Sequence, residues 1–406
     1  MLTSLALIFL VGLSAAALCR FLRLPRIIGM LLTGILLGPY ALNLLDPLIL
    51  EASADLRQMA LIIILLKAGL SLDLSDLKKV GRPAIMMSCV PASFELLAFV
   101  LFAPLFLGVN RIEAAVMGAV LAAVSPAVVV PRMVQMMDRH WGTGKGIPQM
   151  IMAGASCDDI YVIVLFSTFV GMAQGGGAHW QDFAAIPVSI LVGILVGVAV
   201  GLALALFFET AYARRHYVRN SMKVIVVLGV SFMLIALENL LKGYLPMSGL
   251  LAVVAMACAL KCKSTAFVSK RLSEKFGKLW LAAEVILFVL VGAAVDIRYT
   301  LAAGLSALAM IAVAQLFRAF GVFLCMLGTN LNRKERLFCM IAYTPKATVQ
   351  AAIGSVPLSL GLPCGQIVLS VAVLAILITA PLGALGMDAT YRNLLEKEER
   401  PEQGTA

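Results

Sequence analysis

The chain has 406 residues, of which 62% are hydrophobic and only 13% charged, and its mean hydropathy is +1.00. Soluble domains carry about a quarter charged residues, so an ordinary soluble enzyme, a disordered chain and a disulfide scaffold are all excluded. The formal charge of +10 raises nucleic acid as a partner, but the placement of the basic residues argues against it.

A membrane-crossing helix needs about 20 apolar residues at 1.5 Å per residue. On that measure the sequence predicts an all-α polytopic membrane protein of about 13 transmembrane helices. They fall at roughly 2–19, 25–40, 55–72, 83–108, 113–136, 148–173, 184–209, 221–241, 246–260, 278–296, 300–328, 334–358 and 364–387. The loops are short, and the charged tail from Asp388 is too small to be a domain. No basic residue precedes the first run and no small-residue cleavage site is clear after it, which disfavours a cleaved signal peptide.

With the N-terminus outside, the outer loops hold Arg57, Arg111, Lys242 and Arg298, while Lys67, Arg318 and Lys346 fall inside spans. Every other one of the 32 Lys and Arg, including Arg23, Lys78, Lys79, Arg219 and Arg400, falls on the inner side. This asymmetry predicts an N-out/C-in protein with an odd number of spans. It accounts for the positive charge by membrane orientation, with no nucleic acid needed. The eight cysteines are scattered, Cys258 and Cys262 have no histidine beside them, and His140, His179 and His216 are all in loops. No zinc or haem site, and no cofactor, is therefore expected. No P-loop sequence is present, so nothing points to a nucleotide-driven pump.

Six spans, a linker span and six more form a 6+1+6 inverted repeat. Span 3 ends in Gly69-Leu-Ser-Leu-Asp73 and span 10 in Gly292-Ala-Ala-Val-Asp296. Spans 5 and 12 carry interrupting prolines, Ser125-Pro126 through Pro131 in one and Thr344-Pro345-Lys346 in the other. Spans 4 and 11 each bury one charge, Glu95 and Arg318. Proline is common in membrane helices, but matched interruptions in two halves point to the site of a secondary transporter. In span 7, Gly193, Gly197 and Gly201 let another helix approach closely, and packing within one chain is the simpler reading than a dimer seam.

Span 6 places Asp158 and Asp159 near the middle of an apolar helix, where an ionisable group is costly and marks function by default. Neighbours on a helix point about 100° apart. One carboxylate therefore faces an ion cavity and the other a basic group, for which Lys346 is the expected partner. Glu95 and Arg318 form a second candidate pair, structural or direct in role. Lys67 and Glu284 lie nearer span ends, where snorkelling or a subunit-interface pair explains them. Glu113 and Glu238 sit at the outer edge and need no special reading.

Three runs in order carry a family resemblance: Val124-Ser125-Pro126-Ala127-Val128-Val129-Val130-Pro131, then Asp158-Asp159, then Thr344-Pro345-Lys346-Ala347-Thr348-Val349-Gln350-Ala351-Ala352. They resemble the monovalent cation/proton antiporter superfamily, most closely its NHA-type sodium/proton antiporter branch. The resemblance implies two crossing broken helices in a core of spans 4–6 and 11–13. It also implies a dimerisation domain of spans 1–3 and 8–10, and hence a homodimer. The corresponding boundaries are 1–80 and 219–298 for the dimerisation domain, 81–176 and 299–388 for the core, 177–218 for the linker span and 389–406 for the tail. It implies Asp159 as the main Na⁺ or Li⁺ and proton ligand, Asp158 as a helper paired to a base, and a Glu–Arg pair similar to Glu95 and Arg318. In electrogenic Asp-Asp antiporters span 11 carries Lys where this chain has Arg318.

A carboxylate in a small, partly dry cavity holds a proton or a hard cation but not both. With the Ser125 hydroxyl and carbonyls freed at the breaks as further oxygen ligands, alternating access turns that competition into exchange of Na⁺ or Li⁺ for H⁺. Arginine stays charged in proteins, so one proton per sodium is expected. The expected setting is the lipid bilayer of the cell (inner) membrane. A sodium-coupled symporter of an organic anion is the alternative. An intramembrane aspartyl protease would need its aspartates on different helices, and a channel would need a ring-like polar filter; neither is seen, so no enzyme activity is expected.

Overall fold

The computed structural model describes residues 1–22, 24–71, 81–174, 180–215, 220–241, 245 and 247–398. Arg23, Lys78, Lys79, Arg219, Lys242 and Arg400 of the basic pattern, Asp73 of the repeat, and His179 and His216 lie outside these residues. The described residues form helices α1 Leu2–Phe21, α2 Arg26–Leu37, α3 Pro47–Glu51, α4 Ser53–Ser71, α5 Arg82–Met87, α6 Val90–Leu107, α7 Arg111–Leu121, α8 Pro126–Asp138 and α9 Ile147–Gln174. They continue with α10 Trp180–Arg215, α11 Asn220–Leu241, α12 Gly249–Lys263, α13 Ala266–Ala293, α14 Ile297–Cys325, α15 Arg333–Ala342, α16 Thr348–Gly354, α17 Val356–Ser359 and α18 Gly365–Leu394. Among the described residues, nine helical stretches are long and apolar enough to cross a membrane. Helices suit that setting because every backbone group is satisfied within the segment.

The structure redraws several predicted boundaries. The span expected at 83–108 divides at Ser88 and Cys89 into α5 and α6, because the Pro91 ring disfavours helical backbone just before it. The span expected at 278–296 starts at Ala266 instead. Leu272, Phe276 and Trp280 are buried there at helical spacing, so an apolar stripe carries the helix on past the edge that hydropathy defines. The spans expected at 113–136 and 334–358 are each interrupted in mid-course, where Pro126 and Pro345 predict a break.

The helices associate in two sets. In one, α1 and α2 pack on α13, and α4 packs on α12 and α13. In the other, α6 packs on α7 and α14, α9 on α7 and α8, and α18 on α14, α15 and α16. The long α10 lies against α12. A Cβ on Gly193, Gly197 or Gly201 would fall 2.5, 2.3 or 2.5 Å from the carbonyl oxygens of Ser248, Ala252 and Met256. The small-residue stripe therefore serves close packing inside one chain, as its simpler reading required. Glu284 faces Arg26 at 3.7 Å, also within the chain.

Candidate ion-binding site

Two helices start alike and stop alike. Asn110 Oδ1 accepts from the N–H groups of Ile112 and Glu113, both at 2.9 Å, while Glu113 Oε2 accepts from the Asn110 N–H at 2.9 Å. Asn332 and Glu335 repeat this reciprocal cap at 2.9 and 2.8 Å. Each box satisfies orphan donors of the first turn. Each helix then ends about three turns later, α7 at Leu121 before Pro126 and α15 at Ala342 before Pro345. Where they end, carbonyls lose their helical partners.

The two breaks meet. The N–H of Ser125 donates to the Pro345 carbonyl at 2.8 Å. Lys346 Nζ donates to the carbonyls of Leu121 at 2.5 Å and Ala123 at 3.3 Å. Gln350 Nε2 donates to the Ala123 carbonyl at 2.7 Å, and its Oε1 accepts from the Ala347 N–H at 2.8 Å. Arg318 donates to the Ala122 carbonyl through Nη1 and to the Tyr343 carbonyl through Nε, the latter at 2.6 Å. Asp158 Oδ2 accepts from the Val124 N–H at 2.7 Å. Broken backbone at membrane depth persists because protein groups re-satisfy it in this way.

The same side chains form an ionic network. Glu95 Oε2 lies 2.7 Å from Arg318 Nη1 and 2.5 Å from Lys346 Nζ. Arg318 Nη2 lies 3.2 Å from Asp158 Oδ2. All four side chains are at most 2% exposed. Two carboxylates thus balance two cations. Asp159, at 9% exposure, makes no ion pair among the described residues, and its Oδ1 has no hydrogen-bond partner there. Ser125 Oγ, Asp158 Oδ1 and Tyr343 Oη are likewise buried and unpartnered among the described residues.

This differs from the sequence reading in one pairing. Lys346 was expected opposite an aspartate, yet it binds Glu95, and the cation beside Asp158 is Arg318. The break at Pro345 lays the lysine over the carbonyls of Leu121 and Ala123, and Glu95 lies at that same point. Ser125, Pro126, Thr344 and Pro345 stand at the breaks as expected, while Pro131 lies within α8. The reading assigned no role to Gln350, although it lies in the third motif. It also passed over Tyr343, whose ring carries the Arg318 guanidinium 5.5 Å from its centroid, and Thr379, whose Oγ1 accepts from the Lys346 N–H at 3.0 Å. Oxygen ligands such as those gathered here suit a hard cation. Among the described residues no three His, Cys, Asp or Glu cluster as a transition metal requires.

The chain matches the family described as sodium/hydrogen exchanger, transmembrane, over residues 5–389. It belongs to that family. Sodium/hydrogen exchanger 9B2 of Mus musculus is 34% identical to this exchanger over 388 residues, covering 93% of this chain and 69% of that protein. The Homo sapiens protein of the same name is 36% identical, covering 93% and 71%. In fold, the exchanger is similar to the sodium proton antiporter MjNhaP1 from Methanocaldococcus jannaschii, with TM-score 0.78, 23% identity and coverage of 97% and 98%. The superfamily read from the three motifs is thereby established, and with it a multi-pass integral membrane protein that carries out cation/proton antiport. Its relatives are named as transporters, not enzymes, and the organic-anion symporter reading finds no support among them.

Proposed function

We propose that this exchanger swaps Na⁺, or Li⁺, for H⁺ by alternating access, with the Asp159 carboxylate holding one or the other. The observation that carries this reading is the charge balance around the crossed breaks. Glu95 and Asp158 are matched by Arg318 and Lys346, which leaves Asp159 without a compensating cation among the described residues. A buried carboxylate without a cation is costly, and either a proton or a sodium ion removes that cost. Asp158 Oδ1 and Ser125 Oγ, both unpartnered among the described residues, are the further ligands for a dehydrated ion.

The same reading takes α2, α4, α12 and the α15–α16 pair as crossings beside the nine long stretches, which makes 13. It keeps the N-out/C-in orientation from the basic residues and places the protein in the cell membrane. The α1, α2, α4 and α11–α13 set corresponds to the dimerisation domain, through which we infer a homodimer. The set around α5–α9 and α14–α18 corresponds to the moving core.

The test is reconstitution in vesicles with an internal pH dye, an imposed pH gradient and addition of Na⁺, Li⁺ and K⁺ in turn. Na⁺ and Li⁺ are expected to drive proton movement in the wild type and to drive none in Asp159→Asn. Full sodium-dependent dye recovery by a folded Asp159→Asn protein would overturn the assignment.

A further inference from the structure

Where α9, α10 and α12 meet lies a groove of about 520 Å³, within the range of sites that take small organic ligands, about 300–1,000 Å³. Ile194 and Leu202 on its α10 side are 38% and 40% exposed, so the groove is open along that side. Its lining is aliphatic through most of its length. At one end stand Cys262 and Lys263, in the last turn of α12. Lys263 is exposed and is the one charged residue of the lining among the described residues. The next basic residues in sequence, Lys270 and Arg271, lie in the second turn of α13.

A trough of hydrocarbon with a cation at a single end has the polarity of an anionic amphiphile. An apolar seam facing a membrane accepts any acyl chain, but the lysine at its mouth adds selection by headgroup, because basic residues near a bilayer surface attract anionic lipids. We propose that this groove binds an anionic glycerophospholipid, with one acyl chain along the trough and the phosphate at Lys263. The assignment of Lys263 to the inner leaflet rests on the orientation proposed above; the binding itself does not.

The position gives the site a consequence. Ile160 and Val164 line the groove, and Ile160 is the residue after Asp159. A bound chain would therefore bridge the helix that carries the candidate ion ligand to the linker helix α10 and to α12, which belongs to the other set of helices. Occupancy ties the two sets together and raises resistance to unfolding.

The experiment is a thermal unfolding titration of the purified exchanger in neutral detergent, with phosphatidylglycerol or phosphatidylcholine added. Phosphatidylglycerol is expected to raise the wild-type midpoint well above the value reached with phosphatidylcholine. Lys263→Gln should need about fivefold more phosphatidylglycerol for the same rise, the effect of roughly one lysine near an anionic surface. Ala255→Phe and Val198→Phe, which fill the groove, should abolish the response, and Lys334→Gln, in another basic loop, should leave it intact. A second readout needs no variant: phosphatidylglycerol should slow thiol modification at Cys262, followed by peptide mass spectrometry. Equal protection by the two lipids, equal protection of all four variants, or an unchanged rate at Cys262 would each overturn the proposal. Because no ion flux is measured, failure of the antiport reading leaves these outcomes unaffected.

Discussion

The N–H of Ser125 donates to the carbonyl of Pro345 at 2.8 Å, joining the two interrupted helices through the main chain. The crossing is fixed by backbone, and the side chains around it are left to manage charge. Asp158 caps the Val124 N–H, Arg318 the Ala122 and Tyr343 carbonyls and Lys346 those of Leu121 and Ala123; with Glu95 these three neutralise one another, and Asp159 stands outside their balance.

The two aspartates should therefore respond differently to neutralisation. Asp158 uses Oδ2 to accept from Val124 and to pair with Arg318, and an asparagine oxygen can still accept both bonds. Asp158→Asn is expected to keep exchange, to raise the sodium concentration for half-maximal rate, and to lose about 3–5 kcal/mol of stability, because Glu95 is then the one carboxylate facing Arg318 and Lys346. Asp159→Asn is expected to lose exchange and keep its stability. Dye recovery and thermal unfolding on both variants check this, and equal loss of transport in the two would contradict it.

Stranding one member of the network should cost more than removing a matched pair. Glu95→Gln leaves Arg318 and Lys346 facing one carboxylate, at about 3–5 kcal/mol for an uncompensated buried charge. Adding Lys346→Met should recover part of that loss. Adding Arg318→Ala should not, since it leaves Asp158 without its cation and uncaps the carbonyls of Ala122 and Tyr343. A double-mutant cycle on unfolding midpoints reads the difference.

Much of this arrangement is legible in the residues themselves. Long apolar runs give the membrane class, and Pro126 and Pro345 mark both breaks because their rings cannot continue a helix from the preceding turn. Asn110-Arg-Ile-Glu113 and Asn332-Arg-Lys-Glu335 repeat one capping box at the start of each broken helix, a signal that was available and not used. The partner of Lys346 was not legible. Glu95 is far away in sequence, and which carboxylate a lysine meets depends on how the two breaks cross. The start of α13 was hidden for another reason, since its first turns are polar and held by a stripe that hydropathy averages away.

Gly154 sets a steric limit beside Asp158. A Cβ there would fall 2.2 Å from Tyr343 Oη and 2.9 Å from Met87 Cβ. Gly154→Ala is expected to destabilise by about 1–3 kcal/mol, the usual size of overpacking. Tyr343→Phe in the same chain should return part of it by removing the hydroxyl, with the Met87 contact keeping the remainder. Thermal midpoints of the two single variants and the double variant decide whether the hydroxyl is the clash.

Lys145, in the loop between α8 and α9, donates to both Glu335 oxygens at 2.9 and 3.1 Å and lies 3.3 Å from Glu396. The Glu335 hydrogen bond, helped by Glu396, raises its ammonium above the ordinary 10.5. For a cation whose folded value is raised, the stabilisation is complete below the unfolded value and fades as pH climbs through the folded one. Lys145→Met should thus lower the midpoint by the same amount from about pH 6 to about pH 9, and the gap should close only in stronger alkali. A gap that narrows within that interval would contradict the pairing.

The stoichiometry follows from counting donors. Lys346 Nζ donates three bonds, to Glu95, Leu121 and Ala123, and three N–H donors are those of an ammonium. Arg318 stays protonated in proteins and is committed to Glu95, Asp158 and two carbonyls. Neither cation has a proton to trade while this geometry holds. On the reading proposed above, Asp159, outside that network, is the group that exchanges a proton for a metal ion, so one H⁺ should move per Na⁺ and no net charge should cross. With the membrane potential of proteoliposomes clamped by potassium and valinomycin, sodium-driven proton movement is expected to be independent of voltage, and a solid-supported membrane should record no sustained current. A strong voltage dependence would mean that Lys346 leaves its three acceptors during the cycle and carries the second proton.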